Sequence, residues 1–336
     1  NKRVLVRCDF NVPLNEKGEI LDDFRIRKAI PTIEYLLAKG ARVILMTHLG
    51  RPKGKVAEEF RVTPVQNKLM EYLDLSVTKA PDCIGPEIEK WSRDMQPDEI
   101  LLLENLRFYK EEEENNKDFA KKLARLGDIY VNEAFSVCHR AHASVVGIPR
   151  ILPSAIGFHL EREIKTLEIL SENPEKPLVV VIGGKKVDDK AAVINRLSEA
   201  ADFILVSGLI EKEIKEKNIK FKHPEKIISP VDETGGGRDI GPKTLELFEE
   251  KINKAKTVFW SGPVGAVEQE DFYLGSKGIA EAIIKSNAFS AVGGGDTLEF
   301  VGRIGLAEKF SHLSLGGGAM LKFLSGEELP GFKALE

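Results

Sequence analysis

Arginine and glycine divide this chain between them. Twelve of the sixteen arginines precede residue 160, whereas only eight of the 29 glycines do. The glycines of the second half gather in clusters at 183–184, 235–237, 293–295 and 316–318. Arginine's planar fork binds carboxylate and phosphate through two parallel hydrogen bonds. A glycine-rich turn from strand to helix instead offers backbone N–H groups and the positive end of a helix to phosphate. The two halves therefore read as binding different anions, a small polyanion in the first and a nucleotide in the second. Arg7, Arg25, Arg51, Arg107 and Arg140 lie beside polar groups where apolar runs end, whereas Arg42, Arg93 and Arg125 do not. His48-Leu49-Gly50-Arg51 and His139-Arg140-Ala141-His142 add further basic groups at turn positions. Like charges gathered at one sheet edge repel unless an anion joins them.

Other candidates carry less. Residues 236–244, GGRDIGPKT, nearly spell a phosphate-binding P-loop, but Pro242 stands before Lys243 and has no N–H to offer a phosphate. The dinucleotide fingerprint G-x-G-x-x-G is not matched after the first strand, so an oxidoreductase reading would rest on fold analogy alone. Cys138 beside His139 reads as structural, since sequence neighbours rarely face each other and no third orienting group is evident. His159, His223, His312, Trp91 and Trp260 match no motif and read as structural or solvated. The acidic run Glu111–Glu114 reads as a solvated, helix-leading loop.

The elements that must position these groups show in the hydrophobic period. VLVR, RVILMTH, EILLLENL and DIYVNEAF alternate with FRIRKAIPTIEYLLAKG, VTPVQNKLMEYL and KDFAKKLARLG. Continuous apolar runs are strands buried on both faces, and the amphipathic stretches between them are crossover helices of a parallel sheet. KPLVVVIGG, DFILVSG, TVFWSGP, FSAVGGGD and HLSLGGGA repeat the grammar with VINRLSEAA, TLELFEEKI and IAEAIIKS between them. A length of 336 residues exceeds what one core usually fills. The spacing predicts two doubly wound parallel-sheet α/β domains joined by a helix in LPSAIGFHLEREIKTLEILSENPE. Hydrophobic content of 42% and charged content of 30% exclude disorder, and a net charge of −4 argues against nucleic acid and anionic membranes as partners. Cys8, Cys83 and Cys138 form no C-x-x-C pair, so neither a disulfide framework nor a zinc site is expected and a cytoplasmic location fits. No signal peptide is evident, some N-terminal chain is expected to be missing, and no apolar run is long enough to span a bilayer.

In order and nearly end to end, VRCDFNVP, FRIRKAIPTI, THLGRP, ENLRF, VNEAFSVCHRAHAS, VIGGKKVDDK, DIGPKT, WSGPVGAVE, VGGGDT and SLGGGAMLKFLSGEELPG resemble the phosphoglycerate kinases. The resemblance implies reversible phosphoryl transfer between 1,3-bisphosphoglycerate and MgADP, giving 3-phosphoglycerate and MgATP, in a cleft that closes by domain bending. It implies a triose-phosphate domain over 1–155, a connecting helix over 156–173, a nucleotide domain over 174–318, and a segment 319–336 returning to the first domain. On the substrate side it implies contacts from Asp9, Phe10, Asn11, Arg25, His48, Leu49, Gly50, Arg51, Arg107 and Arg140. On the nucleotide side it implies Lys186, Lys190, Glu268, Gly293, Gly294, Gly295, Asp296 and Thr297, with Asp296 meeting Mg2+. Arg25, Lys186, Gly294 and Gly317 would stabilise the transferring group, in a chain expected to be a monomer. After DFILVSGL the family's longer segment, which helps line the adenine site, is replaced by IEKEIKEKNIKFKHPEK. The alternative is a triose-phosphate-binding or regulatory protein with weakened catalysis. The presence of Lys186, Lys190, Glu268 and Asp296 disfavours it, because charges clustered without a ligand are costly.

Overall fold

The computed structural model describes residues 2–336. Its chain folds as two compact units, one running to Arg162 and taking in Glu328–Glu336, the other being Glu163–Glu327. The division differs slightly from the sequence expectation: residues 319–327 remain with the second unit, and only the last nine residues pack with the first.

The first unit holds strands β1 (Arg3–Arg7), β2 (Arg42–Met46), β3 (Val77–Lys79), β4 (Ile100–Leu102), β5 (Ile129–Asn132) and β6 (Ser154–Ile156). They form one parallel sheet in the order β3-β4-β2-β1-β5-β6. Helices α1 (Phe24–Ala38), α2 (Thr63–Leu73), α3 (Pro86–Asp94), α4 (Lys110–Glu113) and α5 (Lys117–Ala124) connect them. Alternation along β1 sorts its side chains between the two sheet faces. Val4 and Val6 join Ile26 and Ile33 of α1 in one cluster, while Leu5 joins Phe119 and Leu123 of α5 in the other. Helix α1 continues through Pro31. It ends at Gly40 in the left-handed region (φ 68°), whose N–H bonds Leu37 O while Ala41 N–H bonds Leu36 O.

Helix α6 (Phe158–Ser171) runs across the division between units. Its first N–H groups are held by the buried Glu133, which accepts from His159 N at 3.0 Å and Leu160 N at 3.2 Å. The second unit holds β7 (Leu178–Ile182), β8 (Phe203–Val206) and β9 (Ile227–Ile228), then a two-stranded hairpin, β10 (Glu233–Thr234) and β11 (Asp239–Ile240). It continues with β12 (Thr257–Ser261), β13 (Phe289–Gly293) and β14 (His312–Ser314). Its six-stranded sheet is parallel in the order β14-β13-β12-β7-β8-β9. All five residues of β7 and of β12 are buried, as befits strands covered on both faces. Its helices are α7 (Asp188–Leu197), α8 (Gly208–Glu216), α9 (Pro242–Ile252), α10 (Leu274–Ser286), α11 (Gly295–Arg303) and α12 (Gly318–Leu324); α13 (Pro330–Lys333) packs with the first unit. Among the described residues no helix is long and apolar enough to cross a membrane.

Both sheets reverse strand order, between β1 and β5 in the first unit and between β7 and β12 in the second. Such a switch point opens a crevice at the carboxyl ends of the strands, where ligands of open α/β sheets bind.

Candidate functional sites at the strand ends

Four strands of the first unit deliver expected residues to that edge, with Thr47 and Ser136 beside them. Asp9 and Asn11 follow β1; Thr47, His48, Gly50 and Arg51 follow β2; Arg107 follows β4; Ser136 and Arg140 follow β5. Asp9 is ion-paired with Arg25 of α1 and accepts from Ser136 Oγ at 2.5 Å. The Gly50 N–H donates to Asn11 Oδ1 at 2.8 Å. Gly50 O in turn accepts from Arg107 Nη1 at 2.9 Å. Gly50 adopts φ 63°, and a Cβ there would stand 2.3 Å from the Phe60 ring, so only glycine fits this hub. Arg140 Nε donates to His139 Nε2 at 3.1 Å. Arg51 lies exposed at the rim.

Beneath this surface Arg7 is fully buried, its Nε donating to Ser144 Oγ at 2.8 Å. Ser144 passes its own hydrogen to Glu112 Oε1 at 2.5 Å. Glu112 overturns the expectation that the Glu111–Glu114 run is solvated, since it is fully buried and also accepts from Ser144 N at 2.9 Å. Burial raises its carboxyl above the usual range, while Arg7 opposes that rise. Burial and then Arg7 depress the Arg107 guanidinium to about 10, and burial followed by Arg7, Arg107 and Arg140 lowers His142 to about 3. Like charges gathered and buried in this way are an arrangement that an anion would relieve.

In the second unit the turns after β7, β12 and β13 interlock. Gly183 N–H bonds Ser261 O at 3.0 Å and Gly184 N–H bonds Pro263 O at 2.7 Å. Lys190 Nζ donates to Gly183 O and so braces the first of these turns. A Cβ on Gly183 would sit 2.0 Å from Pro263 O, and one on Gly293 would sit 2.2 Å from Met320 Sδ. By contrast, nothing lies within 4 Å of a Cβ built on Gly295 or Gly317. Gly294 precedes helix α11 with φ 95°, and Asp296 lies exposed in the helix's first turn. Exposed Lys185 and Glu268 pair at 3.0 Å. The Glu268 carboxyl is held below its usual range by its own backbone N–H and by Lys185. Lys186 is exposed and makes no hydrogen bond or ion pair with any described residue.

Phe10, Leu49 and Thr297, three of the expected contacts, lie in the interior. Phe10 and Leu49 are buried, the Phe10 N–H donating to Thr47 Oγ1 at 2.9 Å. Both backbone groups of Leu49 are bound by the Asn105 amide, at 3.2 Å and 2.7 Å. Thr297 is fully buried, its Oγ1 accepting from Gly262 N at 2.9 Å. These residues shape the sites from below. Thr47, Asn105, Glu112, Ser136 and Ser144 were not singled out in the sequence; of these, all but Glu112 lie inside motifs quoted above.

A divalent cation carried by a nucleotide needs only one or two protein carboxylates besides the phosphates. Asp296, exposed beside the Gly293–Gly295 turn, suits that role. Among the described residues no group of three or more metal-binding side chains forms a site independent of a ligand.

The model of the phosphoglycerate kinase family matches residues 1–220 and 209–327. A phosphoglycerate kinase of Dictyoglomus turgidum is 44% identical over 380 residues, covering 100% of this chain and 96% of its own. One of Moorella thermoacetica is 43% identical over 379 residues with the same coverage. An alignment of 380 positions against 336 residues leaves 44 positions facing no residue of this chain. The two pieces of the family match meet at 209–220, in the charged stretch that replaces the longer segment. Among solved structures, the phosphoglycerate kinase from Coxiella burnetii superposes with a TM-score of 0.86 at 35% identity, covering 100% of this chain and 96% of its own. That from Pyrococcus horikoshii OT3 gives 0.86 at 33%, with the same coverage. Matched along both units by the family model and along its whole length by these relatives, the chain belongs to the phosphoglycerate kinase family.

Proposed function

We propose that this protein is a phosphoglycerate kinase, moving a phosphoryl group reversibly between 1,3-bisphosphoglycerate and MgADP to give 3-phosphoglycerate and MgATP. The observation that carries the reading is the pairing of two unlike anion sites, each at its sheet's switch point. One is an arginine cluster with charge to spare; the other is a set of glycine turns beside the unpaired Lys186.

In this reading Asp9 and Asn11 orient the glycerate, and Arg25, His48, Arg51, Arg107 and Arg140 hold its charged groups. Lys186 and Lys190, with the backbone of Gly293, Gly294, Gly295 and Gly317, take the nucleotide phosphates, and Glu268 takes the ribose hydroxyls. Asp296 holds Mg2+, which when bound with the nucleotide neutralises phosphate charge. The transferring group passes through a loose, charge-spread transition state, so catalysis is positioning and electrostatic stabilisation. The acyl phosphate leaves as a carboxylate that needs no proton, hence no general acid or base is required. Arg25 and Lys186 hold the charge that moves between the ligands. In-line transfer demands that the two ligands meet away from bulk water, which would otherwise accept the phosphoryl group. In this reading the protein works as a monomer in a reducing cytoplasm, where its three free, buried cysteines stay as thiols.

Arg51 tests the assignment of the two sites. Arg51→Ala is expected to raise the KM for 3-phosphoglycerate about tenfold and leave that for MgATP unchanged. Steady-state kinetics with each substrate varied in turn checks this, and a rise confined to MgATP would reverse the assignment.

A further inference from the structure

Arg7 is the last residue of β1 and is fully buried, its Nε donating to Ser144 Oγ, its Nη1 to Cys8 O and its Nη2 meeting His48 Nδ1. The contact between Arg7 Nη2 and His48 Nδ1 is 3.1 Å, and His48 is itself buried. A guanidinium has no acceptor and does not deprotonate in a protein. Nδ1 must therefore accept, which leaves the single ring proton on Nε2. Protonating His48 would set two N–H groups head to head in a buried space.

We infer that Arg7 is a positioning residue: through Nη2 it locks His48 as the neutral Nε2–H tautomer, so that the site offers a fixed hydrogen-bond donor whose charge never changes. The inference rests on the reading of His48 as a contact to the anionic triose phosphate. The surroundings agree from every side. Arg7 of β1, Arg107 after β4, Arg25 of α1 and His142 after β5 all disfavour the imidazolium, and burial is the largest cause of its depression. The carboxylates near this group are engaged elsewhere, Asp9 with Arg25 and Glu112 with Ser144. An ordinary histidine would lose its positive charge as pH rises through about 6.5. Locked His48 has none to lose, so the site's grip on its ligand does not slacken through that range on this residue's account.

Long-range 1H–15N NMR of the histidine-labelled full-length chain tests this without altering Arg7. The His48 signal is assigned by its loss in His48→Gln. It is expected to show a bare Nδ1 and a protonated Nε2, unchanged from about pH 5.5 to 8.5. Titration of His48 in that range, or a proton on Nδ1, would overturn the inference. In Arg7→Met, which removes the donor but keeps the bulk, the tautomer should no longer be fixed and a proton should appear on Nδ1, while burial, Arg107 and Arg25 still disfavour the imidazolium. The KM for 3-phosphoglycerate should rise about tenfold with a smaller change in kcat. A folded Arg7→Met protein whose His48 keeps a bare Nδ1 and a protonated Nε2 would also contradict it. Adding 3-phosphoglycerate separates the two readings. A locked His48 whose Nε2–H resonance ignores the ligand leaves the positioning intact and counts against the substrate assignment instead.

Discussion

Lys186→Ala is expected to lower turnover by roughly 10² or more while leaving the fold and the 3-phosphoglycerate KM intact. Lys186 stands exposed in the turn after β7, bonded to no described side chain or backbone group, so its removal breaks no internal contact. What it removes is an exposed positive charge in one of the interlocking glycine turns. A loose phosphoryl transition state depends on such charges more than the ground state does, so the loss should appear in kcat rather than in nucleotide KM alone. The check is kcat, both KM values and a thermal melt on the same preparation. Unchanged turnover in a folded sample would remove Lys186 from the catalytic role.

Two glycine substitutions should separate framework from binding surface. Gly262 has φ 93°, and a Cβ there would lie 2.2 Å from Gly183 O, a backbone atom that cannot swing aside. Gly262→Ala therefore combines a disfavoured backbone with a clash between two turns. It is expected to cost about 3 kcal/mol or more, lowering Tm by roughly 10 °C. Gly295 opens α11 with nothing within 4 Å of an added Cβ. Gly295→Ala should melt within about 0.5 kcal/mol of the parent, yet raise the nucleotide KM roughly tenfold by filling space that phosphate needs. Calorimetry with nucleotide kinetics distinguishes these cases. If Gly295→Ala binds nucleotide normally, the space above that turn is not the phosphate site.

Much of this was legible because buried parallel strands leave an unbroken apolar signature. Leu178–Ile182 and Thr257–Ser261 are recognisable from their residues alone and are central in their sheet. The three-residue strand Val77–Lys79, the hairpin closed by Gly235–Gly237 and the π-helical turn Ala143–Gly147 are too short to have a period. Charge type also hides burial. Arg3 and Arg7 sit four residues apart on one strand, yet Arg3 pairs with Asp128 at 2.7 Å at a partly open edge while Arg7 is wholly enclosed. Glu112 differs from its acidic neighbours only because Ser144, 32 residues away, folds over it. A run of four carboxylates contains no sign of that. The candidate site's charged residues are marked in the sequence by type and motif, whereas the hydrogen-bonding roles of Thr47, Asn105 and Ser136 emerge only from bonds between distant turns.

The most direct test of the proposed function is 3-phosphoglycerate-dependent conversion of MgATP to ADP, coupled to reduction of the bisphosphoglycerate formed, with MgGTP run alongside. Robust turnover with MgATP that vanishes without 3-phosphoglycerate is the expected result, and it would show that the segment missing after β8 is dispensable for catalysis. Turnover with neither nucleotide, in a sample whose melting shows it folded, would contradict the kinase reading and leave a triose-phosphate-binding protein in its place.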